Sequence, residues 1–473
     1  MKRMKNQLPQ KIKNLNPSQK KVVAISSVVA LFCILFLSFF LWSSTYLNPK
    51  NVKPLSLEQS ATLTSFLNRT YSEQRGQELK PLPYPTVEAK MNLASGSAIL
   101  IDTSNGCILF EKNADQIIPP ASITKLFVMY IAFKEIEAGN LSLDELVEPP
   151  EISWAVNLPR DSSLMFLGQG QKVSVNELLK GLAVASGNDA ALALAYRISG
   201  NTKDFIKRMN YEAKALGLEK THFEEPSGYS ENNLTTAREL AEFCRIYINR
   251  YPQSLKDFHS LNEISYPLQK NLPSWQTEKG DSLAITQKNT NPLLNRLKGC
   301  DGLKTGFIYE SGYNLALTAS REETRFLSVT MRGPGTNSIE GNFYRVQDGT
   351  KLMEWAFSSF ADYFPQKNTA QTYTIACLGS KEKFINLLPA WNNSITVPHI
   401  RAQTVQEDAA SIVAQVQIPK YIDKGVQVGQ VFGQISYKLG DTVLETVPLV
   451  ADRSVTKANA LKRLLGKLVA LRF

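Results

Sequence analysis

Histidine is nearly missing from this chain: three in 473 residues, at positions 222, 259 and 399. None forms a His-x-x-x-His metal pair, and a Ser-His-Asp triad finds no support. Cysteine is also scarce. The five thiols at 33, 107, 244, 300 and 377 include no Cys-x-x-Cys pair, which excludes the common zinc sites. Buried free thiols are expected, with a disulfide among the last four as the alternative. No metal or other cofactor is implied. Internal repeats and low-complexity segments are absent. So are a basic recognition helix and an aromatic RNA-binding motif. The net charge of +10 is therefore not a nucleic-acid signal, because much of the excess sits at the two ends. What remains is a foldable composition, 43% hydrophobic and 20% charged, in a chain long enough for more than one domain.

Residues 1–21 carry seven Lys and Arg and no acid. The uncharged apolar run from Val22 to Trp42 follows, long enough to cross a bilayer. The basic flank predicts a cytoplasmic tail, with the remainder on the extracytoplasmic side of the membrane. An uncleaved signal-anchor is expected; a cleaved signal peptide is the alternative. Residues 43–88 read as a polar, proline-dotted spacer with a short helix near Leu57 to Leu67.

A first globular domain is expected over 89–365. Ser97–Asp102 and Cys107–Phe110 read as a hairpin around Ser104-Asn105-Gly106. Helices are predicted from Ser122, from Val175, from Asp189, over 203–217, over 235–250 and over Lys351–Phe360. Strands are predicted at Gly302–Thr305, Tyr313–Ala319 and Phe326–Met331. From 370 to 451 the pattern turns to short strands, at Tyr373–Cys377, Ile395–Val397, Ile412–Val416, Val431–Lys438 and Val443–Val450. Residues 454–473 follow as a basic amphipathic helix with Leu461, Leu464, Leu465 and Leu468 on one face. It suits either an anionic membrane surface or packing on the protein.

The chain is organised around Pro119-Pro120-Ala121-Ser122-Ile123-Thr124-Lys125. The prolines predict an extended approach to a helix that starts at Ser122. Lys125 then lies one turn on, on the same face, so hydroxyl and amine form one nucleophile–base unit. Ser-x-x-Lys alone is weak, since a chain of this length holds about 2 by chance. Lys304-Thr305-Gly306 is rarer, about 0.1 by chance, and follows Asp301-Gly302 on a predicted strand. Ser186-Gly187-Asn188 joins two predicted helices; Ser199-Gly200-Asn201 is read as a helix C-terminal turn.

In this order the three motifs resemble those of penicillin-binding proteins and serine β-lactamases. The closer likeness is to the low-molecular-mass serine D-alanyl-D-alanine carboxypeptidases, over roughly 85–450. Ser163-Leu164-Met165-Phe166-Leu167, Ser186-Gly187-Asn188-Asp189-Ala190, Thr221-His222-Phe223 and Gly312-Tyr313-Asn314-Leu315 add to it. The resemblance implies an α+β, transpeptidase-like catalytic domain with a helical subdomain and an antiparallel sheet. A small all-β domain follows it, and an N-terminal transmembrane helix precedes it. The implied activity removes the terminal D-alanine from peptidoglycan stem peptides, with β-lactams as inhibitors. The implied roles are Ser122 as nucleophile, Lys125 as base and Ser186 as proton relay. Asn188 would hold a substrate amide, and Lys304, Thr305 and Gly306 the terminal carboxylate strand. The N–H groups of Ser122 and Phe307 would form the oxyanion hole.

Thr290 stands where some relatives carry arginine, so Arg345 is added as a possible carboxylate ligand. The loop Ser227–Asn233 lacks the aspartates of some relatives. Cys300 and His222 are read as packing residues. Two rival readings remain at this stage: a D,D-endopeptidase of the same fold, and a non-catalytic wall-binding scaffold. A β-lactamase would need fast deacylation.

Overall fold

The computed structural model describes residues 16–46, 52–75, 78–85, 89, 91–277, 284–400 and 402–470. The expected basic tail up to residue 15 and the last three residues of the terminal helix lie outside the described residues. The first helix, α1 (Pro17–Tyr46), is longer than the apolar run that predicted it. Its stretch Pro17–Leu41 is long and apolar enough to cross a membrane, and its apolar window has no residue buried inside the protein. This helix supports membrane anchoring.

The supposed spacer is largely built into the fold. Helix α2 (Leu57–Thr70) starts at a capping box, in which Ser56 and Gln59 satisfy each other's backbone N–H groups. Its Leu63 and Leu67 are buried in the core of the C-terminal domain. Further on, strand β1 (Lys80–Pro81) pairs in parallel with the second arm of the predicted hairpin.

That hairpin comprises β2 (Ser97–Asp102) and β3 (Cys107–Lys112). The helical region follows: α3 (Lys125–Glu137), α4 (Val175–Lys180), α5 (Asn188–Ser199), α6 (Thr202–Ala215) and α7 (Ala237–Arg250). The chain then returns to the sheet as β4 (Cys300–Ile308), β5 (Gly312–Arg321) and β6 (Thr324–Gly333), and α8 (Ser338–Ser359) closes the domain. The six-stranded sheet has the order β1-β3-β2-β6-β5-β4, and every pair but β1–β3 is antiparallel.

All six residues of β2 are buried, because both faces of the sheet are covered. Alternate side chains point to opposite faces. Ile99 and Ile101 join the core with α3, α5 and α7, while Ala98 and Leu100 pack with Leu352, Met353 and Ala356 of α8. Phe127 of α3 stacks on Phe243 of α7 with ring centroids 3.7 Å apart.

Helix α8 begins thirteen residues before its predicted start at Lys351. Glycines at 341 and 349 weaken the local helical signal. Packing requires both: a Cβ at Gly341 would lie 2.3 Å from the Tyr313 ring, and one at Gly349 2.8 Å from Leu293. Asn337 caps the start by accepting the N–H groups of Ile339 and Glu340.

The C-terminal domain holds β7 (Phe360–Tyr363), β8 (Tyr373–Cys377), β9 (Phe384–Pro389), β10 (Ile395–Pro398), α9 (Val405–Ala410), β11 (Val413–Gln417), β12 (Tyr421–Ile422), β13 (Val431–Leu439) and β14 (Thr442–Ala451). Six of these strands form one sheet in the order β11-β13-β14-β9-β8-β12. The predicted strand at 395 is not among them. It pairs instead with β7, where the chain leaves the catalytic domain. Strands β9 and β12 had no clear signal of their own.

The last helix, α10 (Ala460–Ala470), packs in part on the C-terminal domain. Gly466 and Val469 are buried against the domain, and a Cβ at Gly466 would sit 2.1 Å from the Leu378 carbonyl oxygen. Leu461, Leu464 and Leu468 stay exposed. Phe39 of α1 packs against the same cluster as Val469. All five cysteines are free.

A polar knot joins the two domains. Ser104 Oγ donates to Asp102 Oδ1 (2.5 Å) or Asp362 Oδ1 (2.9 Å), and Thr396 donates to Asp102 Oδ2 (2.6 Å). Tyr84, Cys107, Glu445 and Arg245 surround the pair. Asp362 Oδ2 is buried and, among the described residues, accepts no hydrogen bond. Burial, then the Asp102 charge, hold the Asp362 carboxyl well above the usual carboxylate range. A raised acid favours folding most below its unfolded value, about 4, and loses that contribution as the pH climbs toward its folded value. Asp362→Asn is therefore expected to raise the melting temperature at pH 7, with the gain shrinking toward pH 4. An Asn variant less stable than the parent at pH 7 would refute this account.

Candidate active site

The nucleophile segment is tighter than its sequence suggests. Pro120 already has helical angles (φ −71°, ψ −16°), and the chain reverses at Ala121, whose φ is +51°. A single 3-10 turn, Ala121–Thr124, carries Ser122, and the α-helix starts only at Lys125. The expected extended approach and the helix start at Ser122 are thus corrected. A left-handed alanine is strained by about 1–2 kcal/mol. The neighbours hold it there. Asn314 Nδ2 donates to Pro119 O at 3.0 Å, and two backbone segments close on the 121–122 peptide from either side. Both approach through glycine: a Cβ at Gly228 would lie 1.9 Å from Ala121 O, and one at Gly306 2.6 Å from Pro120 O.

Lys125 is fully buried, with Nζ 2.9 Å from Ser122 Oγ and a second hydrogen bond to Ser227 O. Burial pushes its amine down to about 7, against the opposing pull of Glu225 and Asp189. The neutral amine that general-base chemistry needs is therefore accessible near neutral pH.

Ser227 is held by Glu225, whose carboxylate accepts the N–H groups of Ser227 and Gly228 and the Ser227 hydroxyl. Asn233 is buried and donates to Glu225 O at 2.9 Å and Oε1 at 3.1 Å. Glu225 thus orders the Ser227–Asn233 loop, which has no aspartate of its own. Sequence reasoning did not single it out; its spacing of two residues from Ser227, as an Asx-turn-like acceptor, was the available signal.

Ser186 ends a widened π turn, Gly181–Ala185, at a left-handed φ of +57°. The next helix then starts at Asn188, so Ser186 lies between two rigid elements and Asn188 opens the second of them. Asp189 accepts four backbone N–H groups, from Met165, Phe166, Leu167 and Ala190. It ties the Ser163–Leu167 segment to the start of α5. Asn188 is 6% exposed, and among the described residues its side-chain amide has no hydrogen-bond partner.

Lys304 and Thr305 lie in the interior of β4. Lys304 is buried and donates to Thr305 O at 3.0 Å. Burial first, then the charges of Lys125 and Arg345, hold its amine well below the ordinary lysine range. A bound carboxylate would supply the absent counter-charge and restore the ammonium. Thr305 donates to Thr290 Oγ1 at 2.8 Å, so the threonine in place of arginine is part of the strand's polar edge.

Arg345 differs from its expected use. Its guanidinium is buried over the Tyr313 ring and donates to Gly306 O, Asn314 O and Asn342 Oδ1. These bonds make it a brace between α8 and β4–β5 rather than a free carboxylate ligand. His259 is another buried brace: Nδ1 faces Leu303 O and Nε2 faces the Tyr247 hydroxyl, and burial lowers its imidazole to about 3.

Ser122, Asn188, Gly228 and Phe307 line one cleft of about 290 Å³. Segments separated by nearly two hundred residues therefore converge beside one hydroxyl–amine pair. The arrangement suits acyl transfer: a nucleophile bonded to a desolvated amine, with a strand that carries a buried lysine and a threonine alongside.

Residues 85–335 match the D-alanyl-D-alanine carboxypeptidase family, and residues 365–457 match the C-terminal domain of penicillin-binding protein 5. The D-alanyl-D-alanine carboxypeptidase DacC of Escherichia coli is 32% identical over 378 residues, 79% of this chain and 87% of the relative. DacF of Bacillus subtilis is 29% identical over 408 residues, 85% of this chain and 95% of the relative. Among solved structures, penicillin-binding protein 5 of Haemophilus influenzae aligns with a TM-score of 0.64 at 27% identity, over 78% of this chain and all of that one. On the nucleophile turn, the two-domain architecture and these matches together, the chain belongs to the serine D-alanyl-D-alanine carboxypeptidase family, the S11 peptidases.

Proposed function

We propose that this protein is a membrane-anchored D-alanyl-D-alanine carboxypeptidase, which trims the terminal D-alanine from peptidoglycan stem peptides outside the cytoplasmic membrane. The observation that carries the reading is the 2.9 Å contact between Ser122 Oγ and the buried Lys125 amine. Neutral Lys125 takes the Ser122 proton as the hydroxyl attacks the carbonyl between the two D-alanines. The N–H groups of Ser122 and Phe307 stabilise the oxyanion. Asn188 holds a substrate amide, and Lys304 and Thr305 hold the terminal carboxylate. Ser186 passes a proton to the leaving amine, and water then hydrolyses the ester. β-Lactams are expected to acylate the same hydroxyl. The basic flank of α1 supports a cytoplasmic N-terminus, and the exposed leucines of α10 support a second membrane contact.

Mass spectrometry of a tryptic digest after penicillin treatment tests the site. The adduct is expected on the peptide that contains Ser122. An adduct elsewhere, or none, counts against the reading. Release of D-alanine from a pentapeptide, with a cross-linked dimer left intact, separates the carboxypeptidase from an endopeptidase.

A further inference from the structure

The mouth of the cleft differs in charge from the rest of the protein. The chain carries +10, yet no lysine or arginine lines the cleft among the described residues. Its rim instead holds three exposed carboxylates, Asp161, Glu231 and Glu310. None of the three is in an ion pair among the described residues. Asp161 accepts the Tyr229 hydroxyl at 2.9 Å, which ties the two sides of the mouth together. That hydrogen bond first, then partial desolvation, then the Asp161 and Glu310 charges, raise the Tyr229 phenol above its ordinary value, so Glu310 lies close to the same point.

The mouth is also aromatic. Phe307, Tyr229 and Tyr309 are 37%, 44% and 86% exposed, and the Phe307 and Tyr309 rings meet edge to face at 5.4 Å. An exposed aromatic shelf beside carboxylates matches a side chain with an aliphatic stem and a cationic tip. Asn188 gives a second sign that a ligand enters here: its side chain, 6% exposed and without a hydrogen-bond partner among the described residues, lines the same cleft.

Resting on the proposed function, we infer that Glu231 and Glu310, with Asp161, are specificity-determining residues for a free amine on the substrate residue that precedes D-alanyl-D-alanine. The direction follows from the site. The terminal carboxylate points inward to Lys304 and Thr305, so the residues before the scissile bond extend outward through the mouth. Opposite charges at a solvent-exposed rim each contribute modestly. Two or three together favour the amine about tenfold in kcat/KM at low salt. The preference shrinks at high salt, because exposed pairs are screened.

The full-length protein in detergent is assayed on two peptides ending in lysyl-D-alanyl-D-alanine, one with a free ε-amine and one with that amine acetylated. The free-amine peptide is expected to be cleaved about tenfold more efficiently at low salt, and the ratio should fall toward one in the Glu231→Gln/Glu310→Gln double variant. Equal cleavage of both peptides by the parent protein overturns the inference and leaves the carboxypeptidase reading intact. So does a preference that survives in the double variant. If neither peptide is cleaved, the proposed function fails and this inference falls with it.

Discussion

Lys125→Ala is expected to slow acylation by penicillin about a thousandfold, while leaving the fold intact. The amine accounts for both halves of that expectation. Its burial is complete, and among the described residues no carboxylate pairs with it directly; its partners are Ser122 Oγ and Ser227 O. Removing a desolvated amine therefore strands no buried counter-charge. What disappears is the group that takes the serine proton. The parent protein should reveal the same group in its pH profile. The amine is pushed down to about 7 by burial, and only its neutral form can act as base. The acylation rate should rise tenfold per pH unit below that value and level off above it. A flat profile between pH 5 and 8, or normal labelling of a folded Lys125→Ala protein, would remove Lys125 from the mechanism.

Gly228→Ala is expected to reduce acylation about a hundredfold. Two constraints act on one residue. Its φ of +81° disfavours any side chain, and the new methyl would lie 1.9 Å from Ala121 O and 2.9 Å from Ser122 N. Both atoms are backbone and cannot swing aside. The loop must retreat by about 1 Å, carrying Ser227 O away from the Lys125 amine, and a shift of that size is costly to a positioned nucleophile. Gly139 is the control. Its φ is +76°, but nothing lies within 4 Å of its missing Cβ. Gly139→Ala should cost about 1 kcal/mol in stability and leave acylation unchanged. Stopped-flow labelling of both variants makes the comparison, and equal rates would show that close approach at Gly228 is not what positions Ser122.

Much of the core site was legible because its signals are local. A hydroxyl and an amine three residues apart meet in any helical turn, so Ser122 and Lys125 needed no long-range information. The β2–β3 hairpin was readable from alternation around an Asn-Gly turn. Legibility failed where the decisive partner is distant. The first half of α8 looks weakly helical because of Gly341 and Gly349, and it is helical because only glycine lets it rest on Tyr313 and Leu293. Strand β10 was recognised as extended but its partner β7 was not, since strand propensity says nothing about which neighbour is paired. Glu225 and Asp189 escaped notice as site residues because a carboxylate that collects backbone N–H groups has no sequence pattern of its own.

Arg345 shows the same division most clearly. Chemistry made it a fair candidate for a carboxylate, and only the fold spends its donors on Gly306, Asn314 and Asn342.

By itself, the sequence determined the reaction chemistry on offer, the apolar N-terminal helix and the order of the two domains, since these depend on residue type and short-range spacing. Tertiary structure alone decided the state of the base and the place of the strand. Burial takes water from Lys125 and Lys304, and two glycines let the 228 and 306 backbones close on one strained peptide. Desolvation and contact distance are properties of what surrounds a residue, and around the nucleophile turn the closing backbones at 228 and 306 come from parts of the chain a hundred or more positions away.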